Sequence, residues 1–244
     1  MLQDILSFLT RFIHHPISRL LREEEFDVES MLLIFTDSQP GSTGLVPAAG
    51  VFVAGFYATI IFTDEQIERA TRHDDLGPEN NCLELWVSLI GLILAWKLFP
   101  DDFDSVPRLS IVDSSVAAGQ MKKNRARHPE SNRLLRTTNL VAAISGFQFA
   151  ITQQPVARVL SADMRYADPL SRFEKIKFHQ QIAQQNGEDH IYELNIPPAL
   201  IDLTNIDHIL EANLGLPASV SPQRFQRFWR SKQAFTAAPS YQGK

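Results

Sequence analysis

The chain of 244 residues is long enough for one large domain or one domain with extensions, and its 44% hydrophobic and 21% charged composition excludes disorder throughout. A formal net charge of −5 excludes a generic polyanion binder and leaves any contact with phosphates to a local basic patch. The single cysteine, Cys82, excludes an intramolecular disulfide and a cysteine-based zinc cluster, and fits a reducing intracellular compartment, cytoplasmic or nuclear.

Residues 1–30 read as an N-terminal helical extension of one or two short helices, closing on Glu23-Glu24-Glu25. They do not read as a secretory signal, because Asp4 comes early and Arg11 interrupts the apolar run. Residues 31–36 (MLLIFT) are a strand signal, ended by Asp37-Ser38 and the turn-rich QPGSTG. Residues 44–62 carry no charge and are just long enough to span a bilayer. Pro47, Gly50 and Gly55, with the β-branched and aromatic cluster VFVAGFYATIIF, favour two buried strands turning near Gly55 and no membrane span. The polar stretch 63–81 is read as an inserted loop with a helical turn at 65–72.

Residues 82–99 place apolar side chains on nearly all sides, the pattern of a helix buried by surrounding structure. Within it Glu84, Ser88, Gly91 and Ala95 share one face of small or polar groups, which lets a helix approach a sheet closely. After Pro100 and Pro107 comes a second strand signal, 108–112 (RLSIV), ended by Asp113-Ser114; Ser114 or Ser115 caps the following helix. That helix breaks at 122–129, and another runs over 130–145 to a stop at Gly146. Residues 147–152 (FQFAIT) read as a strand, and Asp168-Pro169 as an N-cap and first-turn proline opening a helix toward Gln185. Residues 191–213 hold a short strand and a helix. Phe225, Phe228 and Trp229 lie at helical spacing among Arg224, Arg227 and Arg230, which fits a helix docking on the domain; a nucleic-acid contact is the alternative. The order predicts an α/β fold with a mixed sheet and helices on its faces, the domain occupying 31–185 and a C-terminal extension 186–244.

Two strand signals end alike, at Asp37 and Asp113. On adjacent parallel strands both carboxylates emerge at one sheet edge, where they repel unless a cation lies between them or one is protonated. A hard divalent ion that wants oxygen ligands is the natural stabiliser. Glu84 and Asp168 are the available third and fourth acids, with Asp163 a rival for the last place. Four such groups make a two-metal site of the kind that acts on phosphodiesters. The main basic concentration is Lys122, Lys123, Arg125, Arg127, Arg133 and Arg136, a phosphate-backbone handle if it lies beside the acids. His14-His15 and His73-Asp74-Asp75 lack spaced partners and read as surface or loop residues.

The pieces "IFTDSQPG", "LELWVSLIGLILAW", "LSIVDSSVAAGQMKKNRARHPESNRLLR" and "ADPLSR" resemble, in that order over roughly 31–173, the ribonuclease H-like region that follows reverse transcriptase in retroelements, nearest to the DIRS-like, tyrosine-recombinase type. The resemblance implies a ribonuclease H-like fold with a mixed five-stranded sheet and helices on both faces. It implies Asp37, Glu84, Asp113 and Asp168 as catalytic ligands of two Mg²⁺ (or Mn²⁺) ions, and cleavage of the RNA strand of RNA–DNA hybrids. The basic residues would grip the hybrid, and a reverse transcriptase domain would be a partner. The chain departs from the pattern in lacking a tight glycine hairpin after Asp37, in the inserted residues 63–81, and in showing no histidine-bearing loop between Ile151 and Asp168. A catalytically weak or inactive module that binds nucleic acid or a protein is the alternative. A phosphoacceptor or phosphatase aspartate is disfavoured, since Asp37-Ser38-Gln39 has no acid two residues on.

Overall fold

β1 (Leu32–Gln39) is buried along its whole length, as a strand flanked on both sides and covered on both faces must be. The computed structural model describes residues 32–41, 46–72, 79–100, 108–144, 156–158, 166–186 and 190–236. β2 (Ala48–Val53) and β3 (Phe56–Ile61) form a hairpin, turning through Ala54 and Gly55 at φ 47° and 88°. Positive φ at both central positions matches the right-handed twist of the flanking strands. β4 (Arg108–Val112), β5 (Val156–Arg158) and β6 (Tyr192–Glu193) complete a sheet in the order β5-β4-β1-β2-β3-β6. The β1–β2 and β2–β3 pairs are antiparallel; β4 is parallel to β1, β5 to β4, and β6 to β3. Among the described residues the protein is therefore α/β with a mixed, open sheet of five strands and a sixth, β6, of only two residues at the β3 edge.

The helices are α1 (Asp64–Thr71), α2 (Glu79–Leu98), α3 (Ser115–Lys123), α4 (Pro129–Ile144), α5 (Asp168–Ser171), α6 (Lys175–Asn186), α7 (Pro198–Asp202), α8 (Ile206–Glu211) and α9 (Pro222–Thr236). The stretch read as an inserted loop holds α1, started by a capping box in which the Thr63 hydroxyl accepts from Gln66 N and the Gln66 side chain accepts from Thr63 N.

Alternation along β1 assigns its side chains to two layers. Ile34 and Thr36 face α2, where a Cβ on Gly91 would come within 2.7 Å of Thr36 and 2.9 Å of Ile34. Only glycine allows that approach, and Ser88 Oγ lies 3.2 Å from Thr36 Oγ1 on the same stripe. On the other face Phe52 stacks on Tyr166 with ring centroids 4.8 Å apart and meets Trp229 of α9 edge-on at 4.9 Å. Helices thus cover both faces. α2 includes a run, Asn80–Leu98, long and apolar enough to cross a membrane; 83% of it is buried inside the fold, as in a core helix.

Several boundaries differ from the sequence reading. β1 runs past Asp37 to Gln39 because Asp37, Ser38 and Gln39 pair with Gly50, Ala49 and Ala48. The strand beside β4 is Val156–Arg158, whereas residues 147–152 lie outside the described residues. Asp168 is the first residue of α5 and not its N-cap, which is Ala167. The helix expected from Asp168 to Gln185 is split at Phe173, whose φ of 59° breaks the ladder between α5 and α6. Residues 190–236, expected as an extension, pack against the sheet and α2. Trp229 of α9 meets Phe52 of β2 edge-on, and from α2 Trp86 Nε1 donates to Ile201 O at 2.7 Å and Lys97 Nζ to Leu210 O at 2.7 Å. The N-terminal helical reading of 1–30, His14-His15 and His73-Asp74-Asp75 all fall outside the described residues.

Candidate metal centre

The parallel β1–β4 register runs from Leu32↔Arg108 to Phe35↔Ile111. Carried two residues further, it brings Asp37 and Asp113 to the same sheet edge, where open α/β sheets place ligands. Asp113 directly follows β4, and Ser114 turns the chain into α3 by accepting from Ala117 N at 3.1 Å. Glu84 reaches the same point from the first turns of α2. One carboxylate oxygen of each of Asp37, Glu84 and Asp113 lies within 4.8 Å of the others, a spacing at which the three could hold a metal ion.

Each buried acid is held from a different side. Glu84 Oε1 accepts from Ser38 N at 3.0 Å and from Ser38 Oγ at 2.8 Å. Among the described residues Glu84 Oε2 is buried with no hydrogen-bond partner. Asp37 Oδ2 accepts from Ser171 Oγ at 2.7 Å, a hydroxyl that also lies 2.9 Å from the Asp168 carbonyl. Ser171 reaches Asp37 because Gly50, opposite Asp37 in the ladder, has no side chain: a Cβ there would collide with the Ala167 carbonyl oxygen and Leu170 Cβ.

Burial pushes the Asp37 carboxyl up to about 7; the charges of Asp113 and Asp168 add to this, while the Ser171 hydrogen bond and Arg172 oppose it. Burial likewise holds Glu84 well above the usual carboxylate range, helped by the Asp37 charge and opposed by the Ser38 bonds. An all-oxygen cluster of this kind is relieved either by protons or by a hard cation, whose own charge reverses the local balance.

Asp168 stands at the margin. Its charge is felt by Asp37, but its Oδ1 accepts from Arg172 Nε at 2.7 Å and it is not one of the three converging acids. Asp163 lies outside the described residues.

Of the basic residues, Lys122, Lys123, Arg125, Arg127 and Arg136 are exposed on α3, on α4 and on the segment between them. Lys123, Arg125 and Arg127 line a cleft of about 630 Å³ with Gln120 and His128, and the cleft reaches back to Ser115, two residues beyond Asp113. Arg133 is placed differently, half-buried and engaged within the fold. Its guanidinium is bidentate on buried Glu130 at 2.8 and 2.6 Å, donates to Leu203 O at 2.6 Å, and lies over Trp86 at 6.0 Å. Two of these bonds stay within α4, and the one to Leu203 O ties the end of α7 to that helix.

Nothing in the sequence ties Ser38, Ser171 or Gly50 to the acids. Ser38 and Ser171 adjoin motif acids in "TDSQ" and "DPLSR", but no spacing rule links a hydroxyl to a carboxylate 134 residues away. Compared with family models, curated proteins and solved structures, the chain matches none of them.

Proposed function

We propose that the chain is a metal-dependent endonuclease of the ribonuclease H type, a retroelement domain that hydrolyses the RNA strand of RNA–DNA hybrids. The observation that carries this reading is the convergence of Asp37, Glu84 and Asp113 at one sheet edge with Glu84 Oε2 buried and bare. The mixed sheet, with Asp37 on β1 and Asp113 directly after the neighbouring parallel β4, is compatible with a ribonuclease H-like fold.

Asp37, Glu84 and Asp113 would hold Mg²⁺ or Mn²⁺, with Asp168 available to a second ion once released from Arg172. A two-ion centre of this class stabilises the attacking and leaving oxygens of an in-line displacement at phosphorus. The basic cleft beside Asp113 supplies Lys123, Arg125 and Arg127 to the phosphate backbone of the hybrid, with Lys122 and Arg136 exposed nearby. A reverse transcriptase domain is the partner that this reading implies.

The test is cleavage of an end-labelled RNA–DNA hybrid by the purified chain with and without Mg²⁺. Cleavage that needs Mg²⁺ and disappears in Asp37→Asn and Asp113→Asn is the expected result; a folded wild type that never cuts the hybrid sinks the endonuclease. The second reading, a weak or inactive nucleic-acid-binding module, is favoured by the Asp168–Arg172 pair, which leaves three acids in the cluster. Mg²⁺ and hybrid binding without turnover would select it.

A further inference from the structure

We propose that Ser38 and Ser171 set the cation selectivity of the acidic centre, by withdrawing one oxygen of Glu84 and one of Asp37 from coordination. The inference rests on the reading of the three acids as a metal centre, and goes beyond it by assigning the choice of metal to two residues outside that group of acids.

The two serines act from opposite faces of the sheet. Ser38 shares its β1 face with Thr36 and points to α2, so its hydroxyl and its own backbone N–H both end on Glu84 Oε1. Ser171 comes from the opposite layer, over Gly50, and ends on Asp37 Oδ2. Neither carboxylate can rotate freely, because Glu84 is 2% and Asp37 5% exposed. Nor can Glu84 withdraw with its helix. Gly91 is seated against Ile34 and Thr36, and Ser88 is at hydrogen-bond distance from Thr36, so α2 is fixed in depth.

Glu84 Oε1, tied by two donors, leaves a cation Oε2 only, and Asp37 Oδ2, tied by one, is the poorer ligand of its pair. Mg²⁺ accepts single oxygens at about 2.0–2.1 Å in a tight octahedron completed by water, whereas Ca²⁺ takes more ligands at about 2.3–2.6 Å and recruits both oxygens of a carboxylate. The buried Oε2 of Glu84 with its sister oxygen occupied therefore suits the smaller ion. The serines here are positioning residues, and their effect is on the ratio of affinities.

The experiment titrates the full chain with Mg²⁺ and separately with Ca²⁺ by calorimetry, which needs no turnover. Wild type is expected to prefer Mg²⁺. Ser38→Ala is expected to lose on the order of 10-fold or more in Mg²⁺ affinity and less for Ca²⁺, so that the ratio falls, and Ser38→Thr, which keeps the hydroxyl, is expected to restore it. Ser171→Ala is expected to lower the same ratio from the other face, and decides the matter alone if Ser38→Ala does not fold. Folded serine variants with the wild-type ratio would overturn this inference while leaving the metal centre standing. A wild type that binds neither ion would overturn both.

Discussion

Gly50 stands directly across the β1–β2 ladder from Asp37, and the room left by its missing side chain is where the Ala167–Ser171 turn reaches the acid. Gly50→Ala puts a methyl group against the Ala167 carbonyl and Leu170 Cβ. Overpacking of this kind is expected to cost about 1–3 kcal/mol in urea unfolding and to weaken Mg²⁺ binding by displacing Ser171. Gly119→Ala in α3 is the matched comparison: an added Cβ meets nothing within 4 Å. It is expected to stabilise by about 0.5–1 kcal/mol, and a similar loss at both positions would remove the steric argument.

The protonation of Asp37 gives a pH dependence of definite sign. Its carboxyl rises from 3.8 to about 7 on folding, so the folded protein binds this proton more tightly than the unfolded chain. The stabilising contribution is full below 3.8 and is lost as pH rises through about 7. If the three acids hold a cation, as proposed, its binding runs the other way, since it must displace the proton. Melting temperatures measured with Mg²⁺ and with chelator are expected to diverge as pH passes 7; a constant gap would contradict the burial of this acid. Asp37→Asn, which never ionises, is expected to stabilise the metal-free protein above that pH by about 1 kcal/mol or more while abolishing Mg²⁺ binding.

Arg133 and Arg127 separate structure from recognition. Arg133→Ala leaves Glu130, 8% exposed, without its bidentate partner and the Leu203 carbonyl without a donor. The expected loss is about 1–3 kcal/mol of stability. Arg127→Ala, on the exposed lip of the cleft, is expected to change stability by less than about 0.5 kcal/mol, and to reduce the salt slope of hybrid binding by about 1. Filter binding at several salt concentrations reads the second effect, and an unchanged slope would remove Arg127 from the phosphate contacts.

Trp229 tests whether α9 belongs to the core. Its ring is 2% exposed and packs on Phe52 and Tyr166, with its indole N–H on His190 O. Trp229→Ala is expected to cost about 3–5 kcal/mol, and truncation before α9 to abolish cooperative unfolding. A stable truncated domain would show that α9 merely leans on it.

The acids were legible because each is marked by local chemistry: Asp37 and Asp113 follow apolar runs, and Glu84 heads a stripe of small residues in an otherwise apolar helix. That stripe does lie against β1, as Ser88 and Gly91 show. What was illegible depends on partners distant in the chain. The end of β1 is set by its pairing with Ala48–Gly50, which no property of residues 37–39 announces. Arg133 looked like its exposed neighbours until Leu203 and Glu130 claimed it. The α5–α6 break at Phe173 was hidden because a phenylalanine seldom occupies a left-handed helix terminus, where glycine is the usual signal.

The parallel pairing of β1 with β4 has a kinetic corollary. Asp37, Glu84 and Asp113 are local to nothing: each arrives on a different element, and β1 meets β4 only after the hairpin, α1 and α2 have been laid down between them. Contacts that close so long a loop form slowly and late. The acidic cluster is therefore expected to be among the last features to mature during folding, and any protection of these amides from hydrogen exchange by added Mg²⁺ would count only chains that have completed their topology.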